Sequence, residues 1–390
     1  MNVKQIYTLM NSVSNEVLGT TDVVQEDLTG IVDMGEQVFN QNKLDNYVKS
    51  LVNHIGKVVF VNRPYSGKIP SILMDAWEFG SVLEKISADI PDATENDTWK
   101  LEDKKDYSQD IFYQPKVTAK FFNSRVTFEV PVSITEKQVK DSFSNVAQLN
   151  GFLSMIYNAV DKSMTIKTDS LIMRTITNMI GETLDADKAS FGTGTQWEKG
   201  TTTRCVNLLK LYNDTQKPTT PLTADDAITN PCFIRFASYM MGLYTDRLAS
   251  ISTAFNVGGK ARFTPADALH VVLLSDFAKS AATYLYGDTY NKNEVLLPKA
   301  ETIPFWQGSG KNYGFKSTSK IDVKTSSGKP ISISGVIGVM FDRDALGVCN
   351  TDRRVTTNYN AKAEFFNNYY KFDASYFNDT NENFVVFFVA

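Results

Sequence analysis

The two histidines are the first residues to consider as catalysts or metal ligands in this chain of 390 residues. His54 lies among charged residues of a predicted helix, and His270 lies inside the apolar run Ala-Leu-His-Val-Val-Leu. A zinc site needs several ligands at defined spacing, and an α/β-hydrolase triad needs a Gly-x-Ser-x-Gly turn. Neither pattern occurs in the sequence, so we interpret His270 as a histidine of the core.

Phosphate-binding patterns are the second kind of candidate. A P-loop has the form Gly-x-x-x-x-Gly-Lys-Ser/Thr, in which backbone amides cradle the phosphates. Five Gly-Lys dipeptides occur and none completes that pattern; they begin at Gly56, Gly67, Gly259, Gly310 and Gly328. Gly192-Thr-Gly194 starts a dinucleotide fingerprint, but Trp197 stands where a third glycine is required. We interpret this segment as a loop.

One pair of carboxylates could serve a metal or acid–base catalysis. Asp342-Arg343-Asp344 directly follows a predicted strand. Carboxylates in a turn, with an arginine between them, are more typical of a structural connection than of a catalytic pair. We therefore expect these residues to shape the turn.

The three cysteines complete the search for reactive groups. Cys205, Cys232 and Cys349 are odd in number and far apart, so they form neither a disulfide framework nor a Cys-x-x-Cys metal site. We expect them to be small buried side chains in a reducing compartment. The sequence thus predicts no catalytic, cofactor-binding or metal-ligating residue, and no cofactor.

The net charge and the aromatic residues constrain the partners. The formal net charge is −4, whereas a protein that grips nucleic acid through phosphates has a basic excess. Non-specific contact of one face with packaged DNA stays open. An aromatic cluster between Phe365 and Phe377 contains few cations, which favours a core or a subunit contact over base stacking.

No segment has the pattern of a membrane or export signal. Met1 to Thr20 lacks the long apolar run of a signal peptide, and the longest apolar stretch, Phe384 to Ala390, is too short to span a bilayer. We expect a soluble chain that begins in the cytoplasm.

A long two-stranded excursion is predicted over residues 82 to 132. Residues 126 to 132 alternate apolar and polar as a half-buried strand does. Residues 117 to 121 alternate in the opposite parity, which predicts a bend between Phe122 and Arg125. Between the arms, Asp89 to Asp106 carries seven acids and three lysines. This segment should project into solvent or onto a neighbouring subunit, and we expect Trp99, Tyr107 and Phe112 to contact that subunit.

A very long helix follows the excursion. Ser133 and Glu136 have the spacing of a capping box, which predicts a helix start there. Residues 152 to 180 contain neither glycine nor proline, and apolar residues recur at helical spacing. A continuous helix of this length would span roughly 43 Å.

The second half of the chain mixes helices and strands. Asn230 and Pro231 form a favoured helix start, and Leu269 to Leu274 is typical of a buried strand followed by a helix capped at Ser275. Residues 321 to 339 predict a hairpin that turns at Gly328. Phe384 to Val389 is apolar on both faces, as in a central strand.

This order of elements resembles the HK97-type fold of tailed-phage major capsid proteins, an α+β fold, over about residues 30 to 390. Local sequences similar to those of small short-tailed phages are Tyr286-Gly-Asp-Thr-Tyr-Asn291, Leu296-Leu-Pro298, Ile303-Pro-Phe-Trp306, Val339-Met-Phe-Asp342-Arg-Asp-Ala-Leu346, Thr356-Thr357-x-Tyr359-Asn360 and Asn383-Phe-Val-Val-Phe387. The resemblance implies a partly helical N-arm (1–80), an extended β-hairpin or E-loop (81–132), a P-domain with a spine helix (133–200), a mixed α/β A-domain (201–360) and one or more return strands to the P-domain (361–390).

The resemblance also implies a function. It implies a non-catalytic major capsid protein that assembles as hexamers and pentamers into an icosahedral shell around double-stranded DNA, in the virion, after synthesis in the host bacterial cytoplasm. A portal would be a partner. A separate scaffolding protein would be another, because the hairpin is not preceded by the long segment that relatives with a built-in scaffold carry. No residue pair is assigned to a covalent cross-link. The alternatives are an encapsulin-like compartment shell and a soluble enzyme with an unrecognised site.

Overall fold

The structure is a computed structural model that describes residues 3–19, 46, 50, 70–74, 83–91, 93–107, 110, 112–135, 146–191, 200–286, 298–307 and 312–390. The helices are α1 (Val3–Leu18), α2 (Val146–Asp187), α3 (Leu208–Gln216), α4 (Ala224–Ala227), α5 (Pro231–Ala249), α6 (Ser275–Tyr286) and α7 (Phe315–Thr318). The first strands are β1 (Leu73–Met74), β2 (Leu83–Ala88), β3 (Val117–Phe122), β4 (Arg125–Thr135), β5 (Cys205–Asn207) and β6 (Leu269–Leu274). The remaining strands are β7 (Glu301–Ile303), β8 (Ile321–Lys324), β9 (Pro330–Ile333), β10 (Val336–Asp342), β11 (Leu346–Asn360), β12 (Phe365–Asn378) and β13 (Phe384–Phe388).

The chain divides into two compact units. The first comprises residues 1–67, 125–171 and 349–375, and the second comprises residues 68–124, 172–348 and 376–390. The helix α2 and the strands β11 and β12 each contribute residues to both units.

The first unit is built on antiparallel pairing of β4 with β12. The pairs run from Arg125 opposite Ser375 to Thr135 opposite Phe365. The strand predicted at residues 126–132 is confirmed, but its predicted pairing within the excursion is wrong, because its partner is β12. The aromatic cluster lies in β12, where Tyr370 and Phe372 are buried, as a core role requires.

The pairing of β4 also corrects the predicted capping box. Ser133 lies inside β4, and its side chain forms a 2.6 Å hydrogen bond with Oδ1 of Asn367 on β12. It therefore caps no helix, and Glu136 lies outside the described residues. The long helix begins later, at Val146.

The predicted long helix is confirmed as α2, and it is longer than the sequence indicated. It has 42 residues and continues past Gly151 and Gly181. At 1.5 Å per residue its length is about 63 Å. In the first unit, Val160, Met164 and Leu171 are buried at helical spacing on one side, whereas from Ile172 to Leu184 most side chains are buried.

The second unit contains a five-stranded mixed sheet in the order β5-β13-β10-β6-β7. The predicted central strand at the C-terminus is confirmed, since β13 lies between β5 and β10 and is buried throughout. Apolar residues of α3, α5 and α6 pack with Met340, Val385 and Phe387 of the sheet into one core. The core therefore joins residues that are far apart in the sequence, from Val206 to Val389.

Three local predictions for the second unit hold. The side chain of Asn230 accepts hydrogen bonds from the first turn of α5, β6 is a buried strand, and a helix, α6, follows it. Ser275 is itself the first residue of α6, and its role as a cap stays a prediction. The hairpin is confirmed for β8 and β9 only. Val339 does not extend the hairpin but lies in β10, paired with β6 and β13.

Candidate assembly interface

The candidate catalytic carboxylates hold a turn together. Asp342 is buried at the end of β10, where its carboxylate accepts hydrogen bonds from Thr264 Oγ1 at 2.8 Å and from the backbone N–H of Asp344 at 2.9 Å. Asp344 is exposed on the far side of the turn. Asp342 thus accepts hydrogen bonds from Thr264 and from within the turn, as a structural carboxylate does, and the expectation of a turn is confirmed.

His270 and Cys205 lie in non-reactive surroundings. His270 stacks on Phe341 of the neighbouring strand, with 5.5 Å between ring centroids, and His54 lies outside the described residues. Cys205 is buried, and this burial together with nearby Asp187 raises the pKa of its thiol well above the ordinary value. A protonated, enclosed thiol is a poor nucleophile.

One of the cysteine predictions is wrong. Cys205 and Cys349 are buried, but Cys232 is exposed in the first turn of α5. The segments that the structure describes contain no group of three or more His, Cys, Asp or Glu side chains that could hold a metal ion. Within the same segments, no helix is both long and apolar enough to cross a membrane.

The exposed apolar residues concentrate on the hairpin of β2 and β3. These strands pair antiparallel from Leu83 opposite Phe122 to Ala88 opposite Val117. Because side chains alternate between faces, Ile86 and Phe121 share one face, and they are 65% and 62% exposed. We call this side of the strands the outer face. An outer face rich in apolar groups is unusual for a hairpin in water.

The hairpin tip, defined as residues 89–116 between the two strands, carries the most exposed aromatic groups of the described chain. Trp99 is 96% exposed and Phe112 is 84% exposed. The backbone presents Trp99 on a short 3₁₀ turn, Asp97–Trp99, that begins with a side-chain cap. In this cap, Asn96 Oδ1 accepts hydrogen bonds from the Thr98 backbone N–H at 3.0 Å and from its hydroxyl at 2.5 Å.

Tyr107 has a different environment from the other two predicted contact residues. It is 40% exposed, its hydroxyl accepts a hydrogen bond from the backbone N–H of Glu102 at 3.0 Å, and Lys105 Nζ lies 5.6 Å from its ring centroid. Tyr107 therefore orders the tip from within. Its contact with a neighbouring subunit stays a prediction, as does that of Trp99 and Phe112.

Tyr113 and the outer face were not predicted from the sequence. Tyr113 is 82% exposed beside Phe112. The position of Phe121 on the outer face could have been predicted, because side chains alternate along β3 and Phe121 lies on the face opposite to Lys120. The tip is thus apolar and acidic together, which suits a protein partner better than the phosphates of DNA.

Comparison with known proteins finds a matching family and solved structures of similar architecture. The model of the Phi29-like phage major capsid protein family matches residues 8–388. Among solved structures, a chain in the capsid structure of Staphylococcus phage Andhra is 9% identical, with a TM-score of 0.50 over 85% of this chain and 88% of that chain. A chain in the capsid structure of the cyanophage P-SCSP1u is 10% identical, with a TM-score of 0.45 over 85% and 92% of the two chains.

The search of curated protein sequences found no match. The likeness to the Andhra chain, at low identity, supports the HK97-like α+β fold. The family match covers nearly the whole sequence and includes both units. This chain belongs to the Phi29-like phage major capsid protein family.

Proposed function

We propose that this structural, shell-forming capsid protein builds the hexamers and pentamers of an icosahedral shell around double-stranded DNA, and that each copy contacts its neighbour through the hairpin tip. The observation that carries the contact is the exposure of Trp99, Phe112 and Tyr113 on one acidic hairpin. In a monomer, such groups would face water at a cost in free energy. Burial between copies removes that cost.

The chemistry of the tip matches a hot spot of a protein interface. Aromatic side chains bury large areas with few rotatable bonds, and they dominate binding when acidic and polar groups surround them. The acidic side chains of the tip would lie around these aromatic groups in the interface, where charges contribute orientation and specificity more than affinity. The exposed pair of Lys100 and Glu95, 3.6 Å apart, adds little stability to the tip itself.

We also propose the finer assignments that the fold family suggests. These are an N-arm at 1–80, an E-loop at 81–132, a P-domain at 133–200, an A-domain at 201–360 and return strands at 361–390. The paired strands of the E-loop are β2 and β3, whereas β4, at the end of its range, pairs with β12. The portal and a separate scaffolding protein are proposed partners, and packaged DNA is touched without sequence specificity. Assembly takes place in the host cytoplasm, and the protein performs no catalysis.

The experiment removes the tip and counts particles. A variant that lacks residues 92–110, co-expressed with the scaffolding protein, is expected to stay soluble and folded but to form no closed shells in electron micrographs. A second variant replaces Trp99, Phe112 and Tyr113 by Ser, keeps the length of the hairpin and should likewise form no closed shells. Its control replaces Lys100 and Lys104 by Ser on the same tip and should assemble. Normal particles from the deletion variant would contradict the proposed contact.

A further inference from the structure

The inner face of the hairpin, opposite to the outer face, is apolar at its root, where Leu83 lies opposite Phe122, and polar beyond it, where a packed strand would stay apolar. Lys85 of β2 lies opposite Lys120 of β3, and Ser87 lies opposite Thr118. The two hydroxyl groups of the second pair are 3.1 Å apart and bond to each other. Two lysines side by side repel each other unless anions neutralise them, so this face needs a charged partner.

The partner is Asp379, in the connection between β12 and β13. Its carboxylate oxygens lie 3.0 Å from Lys85 Nζ and 2.9 Å from Lys120 Nζ, and its side chain is only 2% exposed. Lys85 Nζ also lies 2.8 Å from Glu382 and donates a 3.0 Å hydrogen bond to the backbone carbonyl of Asp344. One buried carboxylate thus holds both strands of the hairpin.

The connection that carries Asp379 is itself fixed to the second unit. The backbone N–H of Asp379 donates to the carbonyl of Ala345 at 2.6 Å, and its carboxylate accepts the backbone N–H of Asn381 at 3.0 Å. Arg262 lies 3.3 Å from the second acid, Glu382. The anions therefore form a rigid anchor, and the lysines are the groups that reach it from the hairpin.

Contacts on either side of the lysines show how little apolar packing holds the hairpin. At its root, the rings of Phe122 and Phe377 lie 5.2 Å apart. On the side of Lys85 and Lys120 that is nearer the tip, Lys260 Nζ lies 2.7 Å from Oδ1 of Asp89. Between these contacts lies a cavity of about 230 Å³, lined by Lys85, Ser87, Thr118, Ala119, Lys120, Arg262, Asp379 and Asn381. Its size and polarity suit several water molecules, so charges rather than close packing bridge this gap.

The charge state of the anchor agrees with this arrangement. Burial acts to raise the pKa of Asp379, but the hydrogen bond from Lys120 and the charge of Lys85 outweigh it and hold the pKa below its ordinary value. Asp379 is consequently ionised at neutral pH, as is Asp89, whose pKa is lowered by its hydrogen bond from Lys260.

We infer that Lys85, Lys120, Asp379 and Glu382 form a positioning cluster, which fixes the direction of the hairpin on its own subunit before any neighbour is present. This inference rests on the proposed function, since a fixed direction matters only for a hairpin that contacts another copy. A hairpin held in advance loses less conformational freedom on contact, and each contact is correspondingly stronger. The cluster acts through the hairpin and touches no partner itself.

The test measures the direction of the hairpin in the unassembled subunit. One nitroxide label is attached to the native exposed Cys232 on α5 and one to Asp103→Cys on the tip, and electron–electron double resonance gives the distance distribution. The wild-type cluster should give a narrow distribution. The double variant Lys85→Gln, Lys120→Gln should broaden it at least twofold and leave the circular dichroism spectrum unchanged.

Two controls separate the cluster from a general effect of charge. Lys100→Gln removes a lysine from an exposed pair on the same hairpin and should leave the distribution narrow. The variant Lys85→Arg, Lys120→Arg keeps both charges and should restore most of the narrowing. If the double Gln variant does not fold, each single Gln variant is interpreted in the same way.

The result that overturns the inference is a broad distribution in the wild type, or a narrow one in a folded Gln variant. Neither result bears on the contact between copies, because no shell is present. Conversely, normal shells from the deletion variant would refute the proposed function and leave the distance distributions unaffected.

Discussion

Replacement of Trp99 by Ala tests the tip contact at a single side chain. Because Trp99 is 96% exposed, it contributes little to the fold, and the free energy of unfolding of the subunit should change by less than about 0.5 kcal/mol. In an interface, a Trp side chain buries roughly 150–250 Å², worth up to about 4–6 kcal/mol at ~25 cal/mol per Å².

The net loss on assembly is smaller than that upper limit. Ordering of side chains and incomplete burial reduce the loss to about 2–4 kcal/mol, the range of an interface hot spot. At 1.4 kcal/mol for each factor of ten, the lower value corresponds to about a 30-fold weaker contact. We therefore expect the threshold concentration for assembly to rise about 30-fold or more.

The assay is light scattering of purified subunit and scaffolding protein over a concentration series, alongside thermal unfolding of the subunit alone. Trp99→Phe should recover part of the assembly, and Lys100→Ala, at the next position of the same exposed tip, should leave the threshold within about twofold. An unchanged threshold for Trp99→Ala would refute the contact. A large fall in the melting temperature of the subunit would refute the claim that Trp99 contributes little to the stability of the fold.

Three further predictions concern the fold. Asp379→Asn should lower the free energy of unfolding by about 2 kcal/mol at pH 7. Because the pKa of Asp379 in the folded state lies below the ordinary value, this difference should persist above about pH 4 and vanish as the pH falls through the folded-state pKa. Urea unfolding at pH 7 and at low pH measures the difference, and a difference that does not change with pH would contradict the prediction. Gly335→Ala should destabilise the protein by more than about 2 kcal/mol, because φ at Gly335 is +91° and a Cβ there would overlap a backbone carbonyl oxygen. Gly242→Ala, inside α5 with open space around it, should instead stabilise the protein by up to about 1 kcal/mol. Equal melting temperatures for the two variants would be inconsistent with this backbone. Trp306→Phe should lower the free energy of unfolding by about 2 kcal/mol, because the buried indole N–H donates a 2.8 Å hydrogen bond to the backbone carbonyl of Val336. An unchanged free energy in chemical unfolding would show that this hydrogen bond is dispensable.

The long helix shows what local sequence can and cannot predict. The absence of glycine and proline over residues 152–180 predicted its existence, but neither of its ends: the capping box predicted a start near Ser133, and the helix runs from Val146 to Asp187. Gly181 lies inside α2, where a Cβ would come within 2.5 Å of a side-chain carbon of Val323. This glycine permits close packing of the helix, and such a role depends on a residue far away in the sequence.

The strand pairing shows a second limit. The alternation in β4 was recognised, and so was the change of parity before it. Its partner β12 lies more than 200 residues further along the chain, however, and an alternating pattern specifies a face but not a partner. A local hairpin was the natural assumption, and the tertiary pairing overrides it.

The interface residues were predictable only in part. The acidic composition around Trp99 indicated a solvent-exposed segment, which the exposure of the tip confirms. The cluster at Asp379 had no such signal, because Lys85, Lys120 and Asp379 are ordinary charged residues until the fold brings them together. Composition predicts exposure, but it does not reveal which charges meet.

Electron microscopy of the purified protein, expressed with and without the scaffolding protein, tests the central claim most directly. With the scaffold present, we predict closed shells tens of nanometres across, and capsomer rings or tubes where closure fails. A folded subunit that stays monomeric with the scaffold present, under conditions that promote assembly, would contradict the conclusion that this chain forms a shell.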